Sequence, residues 1–196
     1  ADSTLYAPVP SGSWHKELPM QMLASISYYG FWTYYLGTAD KATILDVYPY
    51  VKKYIHIWKT DKNGLVIGRK GGWSWGDWGE NQDMELLFSL WYHIALRGYQ
   101  QMSLLAGNTA EASWAAERMY TLAGSFHQKY WNGQYYVSPD HKGKPDDRSQ
   151  ALAVVSGIAP QSVYPTLRSF FKEQYHASPY MEKYVLEALC IMGDHQ

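Results

Sequence analysis

Residues 71–83 read Gly-Gly-Trp-Ser-Trp-Gly-Asp-Trp-Gly-Glu-Asn-Gln-Asp, which sets three indoles, Trp73, Trp75 and Trp78, among three carboxylates, Asp77, Glu80 and Asp83. Cleavage of a glycosidic bond asks for these residue types. One carboxyl protonates the leaving oxygen, a second activates water or attacks, and flat aromatic faces hold the C–H surface of a pyranose. The interspersed glycines permit backbone bends that turn side chains into a cavity. The N-terminal end of a helix expected from about Asp83 favours anionic groups beside it. In the plainer alternative, Asn81 or Asp83 caps that helix and the indoles pack under a connector. So many Trp and carboxylates in so short a loop favour a site, with Asp77 and Glu80 as the candidate catalytic pair and Trp73, Trp75, Trp78 and Asp83 as sugar contacts.

Two further clusters carry groups suited to sugar hydroxyls. Asp147 and Arg148, with Asp146 before them, open a helical segment, where an aspartate followed by a compensating arginine is equally a cap. Tyr180 and Glu182 open the last helical segment, where Glu182, Lys183 and Glu187 can also form a solvated face. The seven histidines show no paired spacing with a second ligand, so no metal is expected. No glycine-rich phosphate loop or nucleophile elbow appears, and no cofactor is expected.

Composition removes other classes of partner. Seventeen basic against eighteen acidic side chains leave a formal charge of −1, which offers nothing to nucleic acid or an anionic membrane. No run of about eighteen apolar residues is present, and the N-terminus lacks a basic region followed by an apolar one, so no export signal is expected within the chain. The hydrophobic content of 46% is enough for the core of one domain over 1–196. Nine Trp and eighteen Tyr serve either that core or sugar surfaces. The one cysteine, Cys190, lies in an apolar run and is expected to be a buried small hydrophobe.

The elements that must position these residues are helical. Residues 1–18 have no period and suggest an extended arm. Apolar spacing then predicts a helix over 19–36, with Pro19 in its first turn and Gly37 taking the left-handed position after it. A second helix follows Asp40 as cap, with Pro49 delaying or kinking it. A turn at Asp61, Asn63 and Gly64 leads into the loop. Helices are expected from about Asp83 to Leu105, stopping at Gly107, and over 110–131 with Asn108 or Thr109 as cap. A short strand is expected over 134–137, then helices over 148–156 capped by Asp147 and closed by Gly157, one opening at Pro160, and one from Pro179 to Met192 before Gly193. The helix stops recur too far apart for a short solenoid period. They describe long αα-hairpins with elaborate loops.

The segment Gly-Gly-Trp-Ser-Trp-Gly-Asp-Trp-Gly resembles the Gly-Asp-Trp loop of the α-L-rhamnosidases. Three other stretches agree: 17–25 with 34–40 is similar to that family's early helix pair, 146–154 to a later helix start, and 178–189 to a further one. The resemblance spans nearly the whole chain. It implies an all-α (α/α)6 toroid that hydrolyses terminal α-L-rhamnosyl bonds, usually with inversion and without a cofactor; the count of about seven helices makes this chain a partial toroid. It also implies that Trp78 is the sugar-facing indole and Asp77 a hydroxyl ligand, and it leans towards an exported protein. The family's glutamate acid and base motifs are not found in this chain. Since seven helices do not close a ring of six hairpins, the expected partners are a carbohydrate and the remainder of the same polypeptide. A non-catalytic sugar-binding module, another six-hairpin specificity, and a protein-binding helical scaffold are the alternatives.

Overall fold

The computed structural model describes residues 4–6, 15–71 and 73–194. Much of the arm expected over 1–18, Gly72 of the Trp-rich loop and His195 lie outside the described residues. The chain is all-helical: α1 (Pro19–Ile26), a π-helical turn (Tyr28–Trp32), α2 (Thr33–Thr38), α3 (Lys41–His56), α4 (Met84–Leu105), α5 (Thr109–Tyr130), α6 (Asp147–Val155), a 3₁₀ turn (Gln161–Val163), α7 (Tyr164–Phe170) and α8 (Pro179–Ile191). Among the described residues, strand pairing is limited to isolated bridges such as Thr60–Val66 and Trp131–Tyr136. The strand expected over 134–137 is therefore only a bridge. Its partner is Trp131, the residue after α5, and the Asn132 carboxamide folds the turn by accepting from the Gln134 and Tyr135 amides at 2.9 Å each.

The chain forms two compact units, and α4 and α5 contribute to both. The first holds the described residues up to Trp75 together with Trp91–Leu122. Its core is aliphatic and aromatic, built on Leu23, Ile26, Ile44, Tyr54, Ile55, Trp91 and Tyr92. The helix expected over 19–36 is interrupted. Ser27 is extended, and its hydroxyl donates to the Ala24 carbonyl at 2.7 Å while accepting from the Tyr29 amide at 3.0 Å. It thereby closes one helix and opens the next, and Gly30 then takes a non-helical conformation. Gly98 marks where α4 meets this break: a Cβ there would lie 2.5 Å from the Ser27 and Tyr28 backbone. Helix propensity disfavours glycine mid-helix by about 1 kcal/mol. Here close packing of two backbones outweighs that cost.

Two expectations in this unit are corrected. The left-handed residue ending α2 is Ala39, with φ 56°, and not Gly37, which stays helical because α2 runs on to Thr38. Pro49 does not delay α3, which starts at Lys41 and continues past it. The start is fixed by Asp40, whose carboxylate accepts from the Thr43 amide at 3.0 Å and its hydroxyl at 2.6 Å. These bonds hold the Asp40 carboxyl down at about 2.

The second unit comprises Gly76–Leu90 and the chain from Ala123 onwards. Here α6 packs on α8. All nine residues of α6 are buried, including the polar first turn Asp147, Arg148, Ser149 and Gln150. Phe126, Tyr130 and Tyr136 form a ring cluster beside it, with Phe126 centroids 4.9 and 5.4 Å from the other two. Cys190 is on the exposed side of α8, not in the core. The core positions of that helix are Met181, Tyr184 and Ala188, which set a register that turns position 190 to solvent.

Candidate functional site

A helix whose first turn is polar and buried must have each of those groups satisfied, because an unpaired buried polar group costs about 1–3 kcal/mol and a charge more. The second unit meets this demand by wrapping the Gly76–Asp83 loop and the 176–178 segment around the start of α6. The N-cap is Asp146, not Asp147 as the sequence suggested. Asp146 has the extended backbone that a cap requires, and its carboxylate accepts from the Arg148 amide at 3.2 Å. Its other oxygen accepts from the Asp83 amide at 3.0 Å and the Ser149 hydroxyl at 2.8 Å. Burial raises the Asp146 pKa above the usual carboxylate range, against the pull of those donors and of Arg148. Asp147 sits one residue into the helix and accepts from the His176 and Ala177 amides at 2.8 and 3.0 Å.

Arg148 is the centre of this arrangement, with no side-chain exposure. Its Nε lies 2.9 Å from an Asp77 oxygen, a close ion pair whose N–H is not aimed straight along the contact. One terminal nitrogen is 3.6 Å from Asp146, and both donate to the Glu80 carbonyl at 3.1 Å. A further bond goes to the His176 carbonyl. One guanidinium therefore ties the loop, the 176–178 segment and α6 together, a use suited to its planar fork of five donors. Asp77 completes the tie. It accepts from the Ser178 amide at 2.9 Å and from the Ser178 hydroxyl, and Ser178 is itself the N-cap of α8.

The loop has a second organiser that sequence reasoning passed over. The Gln82 carboxamide oxygen accepts from the Gly76 and Asp77 amides at 3.2 and 2.9 Å, while its nitrogen donates to the Asp77 and Gly79 carbonyls at 2.7 and 3.0 Å. The loop is thus coiled around one of its own side chains. Gly79, with φ 88°, supplies a conformation that a side chain would resist. Asp83 is buried and links the first turn of α4 to the segment between α5 and α6, accepting from the Leu86 amide at 3.3 Å and the Ser138 amide at 2.7 Å.

The expected site residues therefore separate by depth. Asp77, Asp83, Asp147 and Arg148 come together in the buried network, and Asp77 presents no oxygen to solvent. Trp78 is 64% exposed, and the Glu80 side chain is exposed as well, although its carbonyl is held by Arg148. Tyr180 and Glu182 are exposed on the first turn of α8. Tyr180 is only partly exposed, and desolvation of its phenol, with the negative charge of Asp77 as the smaller cause, raises its pKa. Trp73 and Trp75 belong to the first unit, with ring centroids 6.5 Å apart and Trp73 half exposed. Among the described residues no group of three or more His, Cys, Asp or Glu is arranged to hold a metal ion, and no helix is long and apolar enough to cross a membrane. What the geometry offers is an indole and a carboxylate two residues apart, on a loop whose backbone is locked from beneath.

Comparison with known proteins bears on what such a loop serves. The bacterial alpha-L-rhamnosidase 6 hairpin glycosidase domain is matched by residues 5–176. Among solved structures, the GH78 family rhamnosidase of Bacillus sp. GL1 is similar at a TM-score of 0.73 and 21% identity, over 92% of this chain and 20% of that one. The alpha-L-rhamnosidase from Dictyoglumus thermophilum has a TM-score of 0.82 and 16% identity, over 98% of this chain and 23% of its own. The rhamnosidase from Klebsiella oxytoca with rhamnose bound has a TM-score of 0.78 and 18% identity, over 91% and 36% respectively. At these identities the likeness is one of fold, an all-α match to part of the six-hairpin toroid. The chain spans between a fifth and little more than a third of those chains. No curated protein matches it.

Proposed function

From the premise that this chain belongs to the bacterial α-L-rhamnosidase six-hairpin glycosidase domain family, we propose that it forms the sugar-recognising part of an enzyme that hydrolyses terminal α-L-rhamnosyl bonds with inversion. The observation that carries this reading is Trp78: a large indole left mostly exposed on a loop fixed by three buried or half-buried side chains, Asp77, Gln82 and Arg148. Exposing that much apolar surface on a rigid support is costly for folding alone and well suited to stacking on a pyranose. Glu80, two residues on, is the exposed carboxylate within reach of the same loop surface. Asp77 and Arg148 act in this reading as positioning residues, and Tyr180 and Glu182, in the same unit, as further sugar contacts; Trp73 and Trp75 serve as a sugar surface of the first unit by itself. The acid and base are supplied by other parts of the polypeptide unless Glu80 is one of them, and this chain by itself is inactive.

The test is kinetic and uses the full-length enzyme on an aryl α-L-rhamnoside, with aryl glucoside and xyloside controls. Trp78→Ala is expected to raise KM by up to about tenfold, the scale of one aromatic stacking contact, with a smaller effect on kcat. A loss of about 10² to 10⁴ in kcat for a folded Glu80→Gln variant would make Glu80 a catalytic carboxyl, and a mild loss would leave it a ligand. Unchanged kcat/KM for both variants on all three glycosides sinks the proposal.

A second reading, a sugar-binding module without catalysis of its own, draws on the burial of Asp77, which leaves Glu80 as the loop's one exposed carboxylate. It predicts rhamnoside binding that Trp78→Ala abolishes, with no turnover in the full-length protein.

A further inference from the structure

The second unit also contains a cavity of about 280 Å³, none of whose lining residues belongs to the Gly76–Asp83 loop. One wall is aromatic: the rings of Tyr135 and Phe170 are half-buried, with centroids 5.8 Å apart and planes inclined at 45°. Four of the lining residues come from one face of α7 and its continuation, and Gln134 and Pro145 come from the segment between α5 and α6. Thr166, Ser169, Phe170 and Glu173 follow the i, i+3, i+4, i+7 spacing that places residues on a single helix face. This is not the core face, which Leu167 and Phe171 supply at 0% and 4% exposure.

The polar groups around that wall have hydrogen-bonding capacity to spare. The side chains of Gln134, Thr166 and Glu173 make no hydrogen bond to any described residue, and the Ser169 hydroxyl makes only a long one of 3.4 Å to the Pro165 carbonyl of its own helix. No Lys, Arg or His lines the cavity, so nothing there favours a phosphate or a carboxylate ligand. No Leu, Ile, Val or Met lines it either, which disfavours an acyl chain. A flat apolar wall ringed by hydroxyl, amide and carboxylate groups matches a neutral pyranose, which has C–H faces for the rings and hydroxyls for the rim. The volume lies just below the ligand-pocket range of about 300–1,000 Å³, a size suited to a single sugar unit. We infer that this cavity is a second saccharide-binding site, taking one neutral pyranose unit on the Tyr135–Phe170 wall independently of the Trp78 loop.

Titration of the isotope-labelled protein with methyl α-L-rhamnopyranoside, methyl β-D-glucopyranoside and D-glucuronate, followed by amide NMR shifts, tests this. Saturable shifts at Gln134, Tyr135, Thr166 and Ser169 are expected with at least one neutral glycoside. Glucuronate should bind several-fold more weakly because its carboxylate meets Glu173, and Glu173→Gln should remove that discrimination. Phe170→Ala should weaken the neutral ligand by up to about tenfold. If that variant does not fold, Gln134→Ala and Thr166→Val at exposed positions should each weaken binding in the same direction. Trp78→Ala should leave these shifts and their affinity unchanged, which separates this site from the proposed hydrolytic one. Absence of saturable shifts at these amides with any of the three sugars overturns the inference. So does their disappearance in the Trp78→Ala protein.

Discussion

Arg148 and Glu111 are each a single charge gripped by several partners, one in each unit, and they differ in depth. The Arg148 side chain is fully buried, forms ion pairs with two carboxylates and donates to two backbone carbonyls. Glu111 is 18% exposed; Lys52 and His56 each lie 2.8 Å away, and Tyr99 donates at 2.7 Å. Lys52 and His56 are themselves about 40% exposed. The Arg148 side chain has no solvent exposure, so the guanidinium and its acceptors depend on each other. Around Glu111 water can replace any partner that leaves. The same hydrogen-bond chemistry is therefore a structural requirement in one unit and a modest electrostatic contribution in the other. The loop that carries Trp78 and Glu80 hangs on the first of them.

Removing the deep charge should break this contrast most visibly. Arg148→Met leaves Asp77 and Asp146 buried without their counter-charge and takes donors from the Glu80 and His176 carbonyls. A loss of about 3–5 kcal/mol is expected, a large share of the roughly 5–15 kcal/mol that holds an ordinary domain folded. Urea denaturation measures it, and a loss under about 1 kcal/mol would mean that water enters the site freely. Asp77→Asn is the milder cut, since an amide still reaches Ser178 but no longer balances the guanidinium. It should cost about 1.5–3 kcal/mol, the scale of a hydrogen bond to a charged group. Because Asp77 acts beneath the loop, Asp77→Asn should also lower kcat/KM by loosening Trp78. The positioning role is wrong if kcat/KM collapses while the melting temperature stays at the wild-type value.

The difference between the two regions also explains what the sequence allowed one to read. Helix ends were legible where a local signal is sufficient. Gly107, Gly157 and Gly193 all take positive φ, Asn108 accepts from the Glu111 amide as a cap, and Pro19 and Pro179 open their helices. Local signals failed where two adjacent residues competed, as with Asp146 and Asp147, or where a side chain answered its own backbone, as Ser27 does. The Trp-carboxylate loop was conspicuous, and its likeness to the rhamnosidase loop identified the family. The use to which its carboxylates are put was not legible, because the Arg148–Glu80 bond joins residues 68 apart and the Ser178–Asp77 bond residues 101 apart. Periodicity and spacing carry no information at that range. Gln82 was missed although its contacts are local, since a glutamine before a helix looks like any solvated loop residue.

The shallow charge supplies the smallest effect and the one with a pH signature. Burial raises the Glu111 pKa, but the bonds from Lys52, His56 and Tyr99 outweigh it and bring the carboxyl from 4.5 down to about 2. A carboxylate whose folded pKa is depressed binds protons more readily in the unfolded chain, so its stabilisation is complete above pH 4.5 and is lost as pH falls through about 2. With Lys52 and His56 well exposed, screening reduces the contribution to about 1 kcal/mol. Glu111→Gln should thus lower stability by about that much at neutral pH, and the gap to wild type should close as pH is taken from 4.5 towards 2. His93 acts mainly in a higher window. Burial, helped by the charge of Arg97, holds its imidazole from 6.5 down to about 4, so it draws stability down between those pH values in both proteins and cancels from the difference. Denaturation midpoints of the two proteins at steps of pH provide the comparison. A gap that stays constant down to pH 2 would show that the three partners do not act on the Glu111 charge, and that this cluster is held by packing of Tyr99 and Trp114 instead.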